Sequence, residues 1–137
     1  KNTKFIENIL NSDKLKHYKK IIIGENFNNF LNIANAKCLG LLSTNETKNY
    51  MKQSKILLLT SFFDSNPNTV TEAINFGCIP IISNNVGNYD KYPYELVCNS
   101  FDNDEWLNKI LNILNNYDKY INLKINFNNN NSLLELF

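Results

Sequence analysis

The sequence has 137 residues, enough for one domain with a core of its own. Its 14 basic residues, all of them Lys, and 13 acidic residues give a net charge of +1, which excludes the strongly basic, Arg-containing surface that reads nucleic acid. No apolar run approaches the roughly 20 residues that span a bilayer, and the N-terminus lacks the pattern of a signal peptide, so we expect a cytoplasmic protein without a transmembrane segment.

Apolar segments of strand length alternate with stretches of helical period through most of the chain, as in βα units built around a parallel sheet. Residues 4–18 predict a helix with Phe5, Ile9 and Leu10 on its apolar face. A strand is predicted next at 20–23, closed by a glycine.

A short strand near Cys38, a helix and an apolar strand are predicted next. Thr44 or Asn45 is the expected N-cap of the helix, and Tyr50 and Met51 are expected on its inner side. The uninterrupted apolar run at 56–59 predicts a central strand that is covered on both faces.

The segment "DSNPNTVTEAINFGCIP", residues 64–80, predicts a turn, a helix and the start of a strand. Asn66 is the expected N-cap, with Pro67 at the first helical position, where its missing amide hydrogen is not needed. Gly77 is expected to end the helix in a left-handed conformation, and Pro80 to open the next strand.

This helix would begin at the carboxyl edge of the parallel sheet, where ligands of open α/β folds bind. The free backbone amides of Asn68 and Thr69 would form an anion site there. Glu72 lies off the packed face and is placed to accept hydrogen bonds from vicinal hydroxyl groups of a ligand. A structural alternative stays open, because Thr69 and Glu72 also fit a capping box and Asp64 fits an ordinary turn.

Two strands, "IPIIS" and "ELVCN", and an amphipathic helix, "DNDEWLNKILNILNNY", complete the pattern. Asp102 or Asp104 is expected to cap the helix, since an Asp-x-Asp metal clamp would end a buried strand instead of preceding a helix. Residues 126–132 are a low-complexity, Asn-rich linker. The helix keeps its 3.6-residue period through Trp106, Ile110, Ile113, Leu114 and Tyr117.

The remaining reactive or aromatic side chains have structural explanations. The lone histidine, His17, lacks a partner and is expected at the surface. Three tyrosines around a proline either pack a loop or line the rim of a pocket: Tyr89, Tyr92 and Tyr94. Three cysteines are too widely spaced for a zinc site and are expected as buried free thiols: Cys38, Cys78 and Cys98.

Residues 55–87, "KILLLTSFFDSNPNTVTEAINFGCIPIISNNVG", resemble the C-terminal domain of family 4 (group 1) retaining glycosyltransferases of GT-B architecture. In that family a strand leads to two acids spaced E-x7-E, a helix opening with Glu-Ala, a Gly-x-Pro and a turn similar to Val-Gly-Gly. Upstream, "IIIGEN" resembles the family's Val-Gly-Asp-Gly strand and turn, and "CLGLLS" resembles its base-binding loop. The likeness extends over 21–117 and implies an α/β, Rossmann-like three-layer domain with a parallel sheet.

The resemblance also implies which residues bind a nucleotide-diphosphate sugar donor. The second acid of the motif, which holds the ribose hydroxyls, falls on Glu72, and the first, which contacts the donor sugar and is the candidate catalytic residue, falls on Asp64. No metal or other cofactor is expected, because the nucleotide sugar is itself a substrate. The other implied donor-binding residues are Ser65, Asn66, Asn68 and Thr69 along the motif, Gly40, Leu41 and Leu42 facing the base, and Gly24, which leaves room for the nucleotide.

The chain departs from the family pattern in its cations, because it has no Arg and no early Lys in a matching motif to neutralise the diphosphate. We therefore expect residues 1–137 to be a single nucleotide-sugar-binding domain of a longer enzyme, inactive without an N-terminal GT-B half. The expected reaction is retaining glycosyl transfer of the hexosyl type to a sugar, lipid or protein acceptor. The alternative is a degenerate, non-catalytic domain of the same fold that acts as a binding or scaffolding module.

Overall fold

The computed structural model of the chain describes residues 3–24, 30, 32–60, 68–87 and 89–121. Short 3-10 turns lie at Asp13–Leu15, Tyr89–Lys91 and Tyr94–Leu96. The strands are β1 (Lys20–Ile23), β2 (Ala36–Gly40), β3 (Ile56–Leu59), β4 (Ile79–Ser83) and β5 (Val97–Cys98). The helices are α1 (Thr3–Leu10), α2 (Thr44–Lys52), α3 (Asn68–Asn75) and α4 (Asn103–Asn115).

Every strand pair among the described residues is parallel. β1 pairs with β2, and β3, β4 and β5 form a three-stranded sheet with β4 in the middle. Parallel strands joined through helices are the hallmark of α/β folds. The α/β, Rossmann-like fold class expected from the sequence is confirmed.

Helices cover both faces of the three-stranded sheet, because successive side chains of a strand point to opposite faces. On one face Ile79 and Ile81 of β4 pack with α1 and α4 in a core that contains the fully buried Trp106. On the other face Ile82 packs against Ile74 of α3. These packing contacts create the three layers of helix, sheet and helix.

β4, not β3, is the buried central strand of this sheet. All five residues of β4 are buried, whereas residues 56–59 of β3 are half-buried and pair only with β4 among the described strands. The described pairs do not test a neighbour on the other side of β3, so the central position of 56–59 stays a prediction. An apolar run indicates that both faces of a strand are covered, but it does not indicate which strands pair with it.

Pro80 is the second residue of β4 and is accommodated without the loss of a ladder hydrogen bond. The amide of Ile79 donates to the carbonyl oxygen of Lys55 at 2.8 Å, on the β3 side. The alternation of the backbone then places the nitrogen of Pro80 on the β5 side, where pairing begins only at Ile82. A proline is tolerated where no amide donor is required.

α1 is shorter than predicted, because a local turn replaces its second half. Phe5 and Ile9 are buried as expected, and the helix ends at Leu10. The side chain of Ser12 then accepts a hydrogen bond from the amide of Lys14 at 3.3 Å and starts a 3-10 turn. Serine side chains commonly compete in this way with helix continuation.

Ser43 is the N-cap of α2, so the predicted cap at Thr44 or Asn45 is wrong. The Ser43 hydroxyl accepts from the amide of Glu46 at 3.2 Å, and the Glu46 carboxylate accepts from the amide of Ser43 at 3.2 Å. This reciprocal capping box requires a serine or threonine three residues before the glutamate, a spacing that only Ser43 has. Met51 is buried, as predicted.

α3 ends at a left-handed glycine, as predicted. Gly77 has φ of +86°, its amide donates to Ile74 at 3.3 Å, and the amide of Cys78 donates to Ala73 at 2.9 Å. These two bonds form a Schellman motif, and Cys78 packs against Ala73 beneath it. The hydroxyl of Tyr117, beyond α4, donates to the Gly77 carbonyl at 2.7 Å and ties the two helices together.

Asp102 caps α4, which confirms one of the two predicted caps. Its carboxylate accepts from the amide of Glu105 at 3.0 Å. The carboxylate of Glu105 in turn accepts from the amides of Asn99 at 2.9 Å and Ser100 at 3.0 Å, which fixes the loop after β5. The predicted apolar stripe is buried at Trp106, Ile110 and Ile113 and half-buried at Leu114 and Tyr117.

Candidate functional site

Two groups of the predicted site residues lie after or next to the carboxyl ends of parallel strands. The first is the glycine pair at the ends of β1 and β2. The amide of Gly24 donates to the carbonyl of Gly40 at 2.9 Å, just beyond a bulge in the β1–β2 register. The structure therefore brings together two positions that lie far apart in the sequence.

Both glycines adopt backbone conformations that other residues avoid. Gly24 has φ of +135° and Gly40 has φ of +70°. No heavy atom of the described residues lies within 4 Å of the position that a side chain at Gly24 would occupy. The carboxyl end of β1 thus offers open space directly against the backbone.

An exposed apolar side chain borders this glycine pair. Leu41, directly after β2, is 70% exposed, and Leu42 is half-buried. The chain then enters α2 through the Ser43 cap, which fixes the direction of the loop. An exposed leucine beside an open backbone can contact the apolar face of a flat ligand.

The second group lies in the first turns of α3, which begins at Asn68. Thr69 is exposed, Val70 is fully buried, and Glu72 is half-buried. Because Thr69 lies inside the helix, it cannot be an N-cap, and the capping-box explanation of Thr69 and Glu72 is wrong.

The side chain of Glu72 has no hydrogen bond or ion pair with any residue in the part of the chain that the structure describes. Its carboxylate therefore keeps its acceptor capacity for another group. The expected positions of Asp64, Ser65 and Asn66 lie outside the described residues, as does the expected role of Pro67. No hydrogen bond between described residues joins Glu72 to the glycine pair.

A hydrogen bond between Thr71 and Tyr92, which sequence analysis did not anticipate, joins α3 to the loop after β4. Tyr92 packs against the cluster that contains Val70 and Val86, and its burial raises the pKa of its hydroxyl. This confirms loop packing for Tyr92, whereas the neighbouring tyrosines, Tyr89 and Tyr94, are exposed. No local spacing signals this contact, because its partners belong to different βα units.

The nearest lysine before Gly24 lies at the opposite end of β1. Lys20 is the first residue of β1, is only 7% exposed, and donates from Nζ to the carbonyl of Ala34 at 2.7 Å. Burial lowers the pKa of this ammonium group. A strand rises about 3.3 Å per residue, so Lys20 lies roughly 13 Å from Gly24 and does not supply a cation to the glycine pair.

The remaining candidate side chains have structural roles. Among residues in the described ranges, no three His, Cys, Asp or Glu side chains form a group that could hold a metal ion. His17 is exposed, as predicted. Cys78 and Cys98 are buried free thiols, as predicted, and burial raises the pKa of each to about 12. Cys38 is a free thiol too, but it is only half-buried, contrary to the prediction. None of the residues of β2 is fully buried, whereas all those of β4 are.

No described helix is long and apolar enough to cross a membrane.

A family model described as Glycosyl transferases group 1 matches residues 5–130. The solved catalytic domain of cholesterol-alpha-glucosyltransferase from Helicobacter pylori aligns with a TM-score of 0.75 and 16% identity, covering 100% of this chain and 91% of that chain. At this identity the structural likeness shows a shared fold. No curated protein matches the sequence.

Proposed function

The chain belongs to the group 1 glycosyltransferases, and from that premise we propose that its carboxyl-edge site binds the nucleotide-diphosphate sugar donor of a retaining glycosyl transfer. Membership of the family supports transferase activity, and the GT-B-type fold is consistent with it. Beyond family membership, we propose the class of donor, retention of configuration at the transferred sugar, and the residues that bind the donor.

The observation that carries the proposal is the state of Glu72. Glu72 is a half-buried residue, and its carboxylate has no hydrogen-bond or ion-pair partner among the described residues. Vicinal hydroxyl groups of a ribose would supply two donors to its two oxygens. The resemblance of the surrounding segment to the family's second acid assigns the same role to Glu72.

The other proposed contacts divide between the nucleotide and the sugar. The open backbone at Gly24 and the exposed Leu41 would receive the nucleotide, with Gly40 and Leu42 completing that side. Asp64 would contact the donor sugar as the catalytic residue. The polar groups of Ser65, Asn66, Asn68 and Thr69 would meet the sugar and the diphosphate near the start of α3.

A retaining transfer of this type depends on the position of the donor and on stabilisation of the departing diphosphate. We propose that cations for the diphosphate, and the acceptor site, come from an N-terminal GT-B half. On this proposal residues 1–137 are one donor-binding domain that works in the cytoplasm and turns over no substrate by itself. No metal is part of the proposed reaction.

A second candidate function is a non-catalytic binding or scaffolding module of the same fold. The placement of Lys20, together with the absence of Arg from the sequence, favours it. Such a domain would keep the sheet and its helices but would have lost the electrostatic stabilisation that glycosyl transfer requires.

Isothermal titration of the purified chain against UDP, GDP, ADP and their common sugar conjugates, without metal, tests the donor site. We expect the nucleoside diphosphate of one base to bind with a dissociation constant between about 1 µM and 1 mM. The monophosphate of the same nucleoside should bind more weakly. The monophosphate is the matched control, because it keeps the base and ribose but loses one phosphate. Failure of all three diphosphates to bind would contradict a donor site in this chain and favour the scaffolding module.

A further inference from the structure

A basic surface lies around the amino end of β1, at the opposite end of that strand from Gly24. Residues 13–20 hold four lysines and one aspartate, so this stretch carries +3 in a chain whose net charge is +1, and the rest of the sequence carries −2. This stretch is therefore strongly basic for its length. The basic surface consists of the exposed side chains of Lys14, Lys16, Lys19 and Lys37 and the ring of Tyr18, which is 40% exposed.

The backbone that carries these side chains is well anchored. Leu15 is buried between Lys14 and Lys16, which leaves its two neighbours at the surface. The side-chain amide of Asn35 donates to the carbonyl of Lys16 at 2.9 Å, and the carbonyl of Asn35 accepts from the amide of Lys20 at 2.9 Å. The 3-10 turn, β1 and the start of β2 are thus joined at this end. An ordered backbone reduces the entropy that binding would cost.

The neighbouring strand, β2, extends the same surface. Lys37 lies opposite Ile21 in the parallel β1–β2 register, one residue beyond the pair formed by Lys20 and Ala36. The lysines therefore come from two chain segments that the fold places side by side, and not from one flexible run. This arrangement gives a broad distribution of positive charge.

The charges of the basic surface are not neutralised by ion pairs. Within the described residues the one ion pair joins Lys4 and Glu7 of α1. Asp13 is the only acidic residue in the 13–20 stretch, and it lies beside Lys14. Since none of the four exposed lysines has an acidic partner in the described structure, their ammonium groups are available to an external anion.

We propose that the basic surface docks the protein peripherally on an anionic phospholipid bilayer. Lysine is a point charge that suits a diffuse anionic surface, and each lysine near such a surface strengthens binding by about fivefold. The half-exposed ring of Tyr18, with its polar hydroxyl, suits the boundary between headgroups and acyl chains. The absence of Arg favours this partner over nucleic acid, where bidentate contacts to bases and phosphates are common. Docking at this end leaves Gly24 open.

Vesicle co-sedimentation tests the proposal with the full chain. The probes are vesicles of phosphatidylcholine alone and of phosphatidylcholine with one-third phosphatidylserine, at low and physiological salt. We expect binding only to the phosphatidylserine vesicles, weakening as salt rises. The triple variant K14Q/K16Q/K19Q should lower the affinity by about 100-fold, because three lysines are removed. All three side chains are exposed, so circular dichroism should show an unchanged fold.

The matched control removes the same number of charges elsewhere. K52Q/K91Q/K119Q changes three exposed lysines outside the basic surface and should keep most of the affinity. Tyr18→Ser should weaken vesicle binding severalfold without altering its dependence on salt. Equal losses in the two triple variants, or no binding of the unmodified chain to phosphatidylserine vesicles at low salt, would overturn the proposal. Tighter binding to homopolymer RNA through the same three lysines would overturn it in favour of a nucleic-acid partner.

Discussion

At the scale of single residues, Glu72 combines partial burial with freedom from any described partner. Other acidic residues of the protein are used structurally: Glu46 completes the α2 capping box, and Glu105 binds two loop amides. Glu105 illustrates the contrast, since burial would raise the pKa of its carboxyl group but the hydrogen bonds from Asn99 and Ser100 lower it. Glu72 receives no such bonds from the described residues, which agrees with the role in donor binding that we propose for it.

Substitution of Glu72 by alanine should separate binding from folding. We expect nucleotide affinity to fall by about 1 to 3 kcal/mol, the value of hydrogen bonds to a charged acceptor. Thermal stability should be unchanged or slightly higher, because alanine favours a helix and no described protein contact is lost. Titration calorimetry and thermal unfolding measure the two quantities. Asn75→Ala, at an exposed position of the same helix, is the control and should alter neither by much.

If a folded Glu72→Ala variant bound nucleotide with unchanged affinity, Glu72 would not be part of the binding site, whichever nucleotide binds.

At the scale of secondary-structure elements, the ends of helices are fixed by specific side-chain and backbone contacts. α2 begins at a reciprocal capping box, α3 ends at a Schellman motif, and α4 begins at Asp102. These contacts satisfy amides and carbonyls that helix geometry leaves without partners. The caps of α2 and α4 lie where the chain leaves the carboxyl ends of β2 and β5, and the end of α3 directs the chain into the amino end of β4.

The N-cap of α2 can be tested with two adjacent substitutions. Ser43→Ala removes the hydroxyl that accepts from the amide of Glu46 and should lower the free energy of unfolding by about 1 kcal/mol. Thr44→Ala is the control, because Thr44 is an exposed first-turn residue and alanine has the higher helix propensity. Chemical denaturation should therefore rank Thr44→Ala at or above the unmodified protein. Equal destabilisation by both changes would contradict the cap at Ser43.

The contact between Tyr117 and Gly77 gives a second test at this scale. Tyr117→Phe keeps the ring but deletes the hydroxyl that donates to the Gly77 carbonyl at 2.7 Å. We expect the free energy of unfolding to fall by about 0.5 to 1.5 kcal/mol, the net value of one hydrogen bond. Amide hydrogen exchange should accelerate at Cys78 and Gly77, where α3 ends. Faster exchange spread evenly over the sheet would instead indicate a global loss of stability.

Sequence patterns predicted most elements but not all of their boundaries or neighbours. The apolar runs at β1 and β3 and the period of α4 are local signals, and the structure has all three elements. The cap at Ser43 was missed because Thr44 and Asn45 are equally good cap residues by type, and only the distance to Glu46 selects among the three. Strand order depends on contacts between distant segments, so the middle position of β4 between β3 and β5 could not be read from local patterns.

The site was predictable to the extent that it lies at glycines and strand ends. The meeting of Gly24 with Gly40 follows from parallel pairing of adjacent strands. The Thr71–Tyr92 hydrogen bond does not, because it joins side chains whose proximity depends on how a loop folds back over α3. The predicted binding roles of all the site residues, those of Glu72 and the two glycines included, remain predictions.

At the scale of the whole molecule, the two fully buried thiols lie on opposite sides of the sheet. Cys98 belongs to the core beneath α1 and α4, and Cys78 to the core beneath α2 and α3. Burial raises the pKa of each from 9.0 to about 12. Each of these two cores therefore contains a thiol whose ionisation is coupled to unfolding.

Stability should fall as the pH rises above about 9, the ordinary pKa of a thiol. Between pH 9 and about 12 the unfolded chain loses thiol protons that the folded chain keeps, so the folded state binds more protons and is penalised by alkali. The full loss is up to roughly 4 kcal/mol per thiol. The raised pKa of Tyr92 and Tyr117 acts in the same direction, whereas the lowered pKa of Lys20 opposes it.

Denaturant unfolding from neutral pH to about pH 11 measures this dependence. Cys78→Ala and Cys98→Ala should each reduce the slope of unfolding free energy against pH above 9, even though the cavity lowers stability at every pH. The slope below pH 8 serves as the internal control, since neither thiol titrates there. Identical alkaline slopes in both variants and the unmodified chain would show that the thiols do not govern the decline.

The proline in β4 has a consequence for the chain before it is folded. The segment Ile79–Ser83 is almost wholly apolar and would be exposed on a nascent or unfolded chain, where such segments stack with copies of themselves into cross-β aggregates. Intermolecular stacking needs every amide of the segment to donate to the copy above or below, and Pro80 has none to give. In the native sheet the same nitrogen faces a side where no donor is needed. Pro80 thus biases the competition between folding and aggregation toward folding at no expense to the native hydrogen-bond ladder.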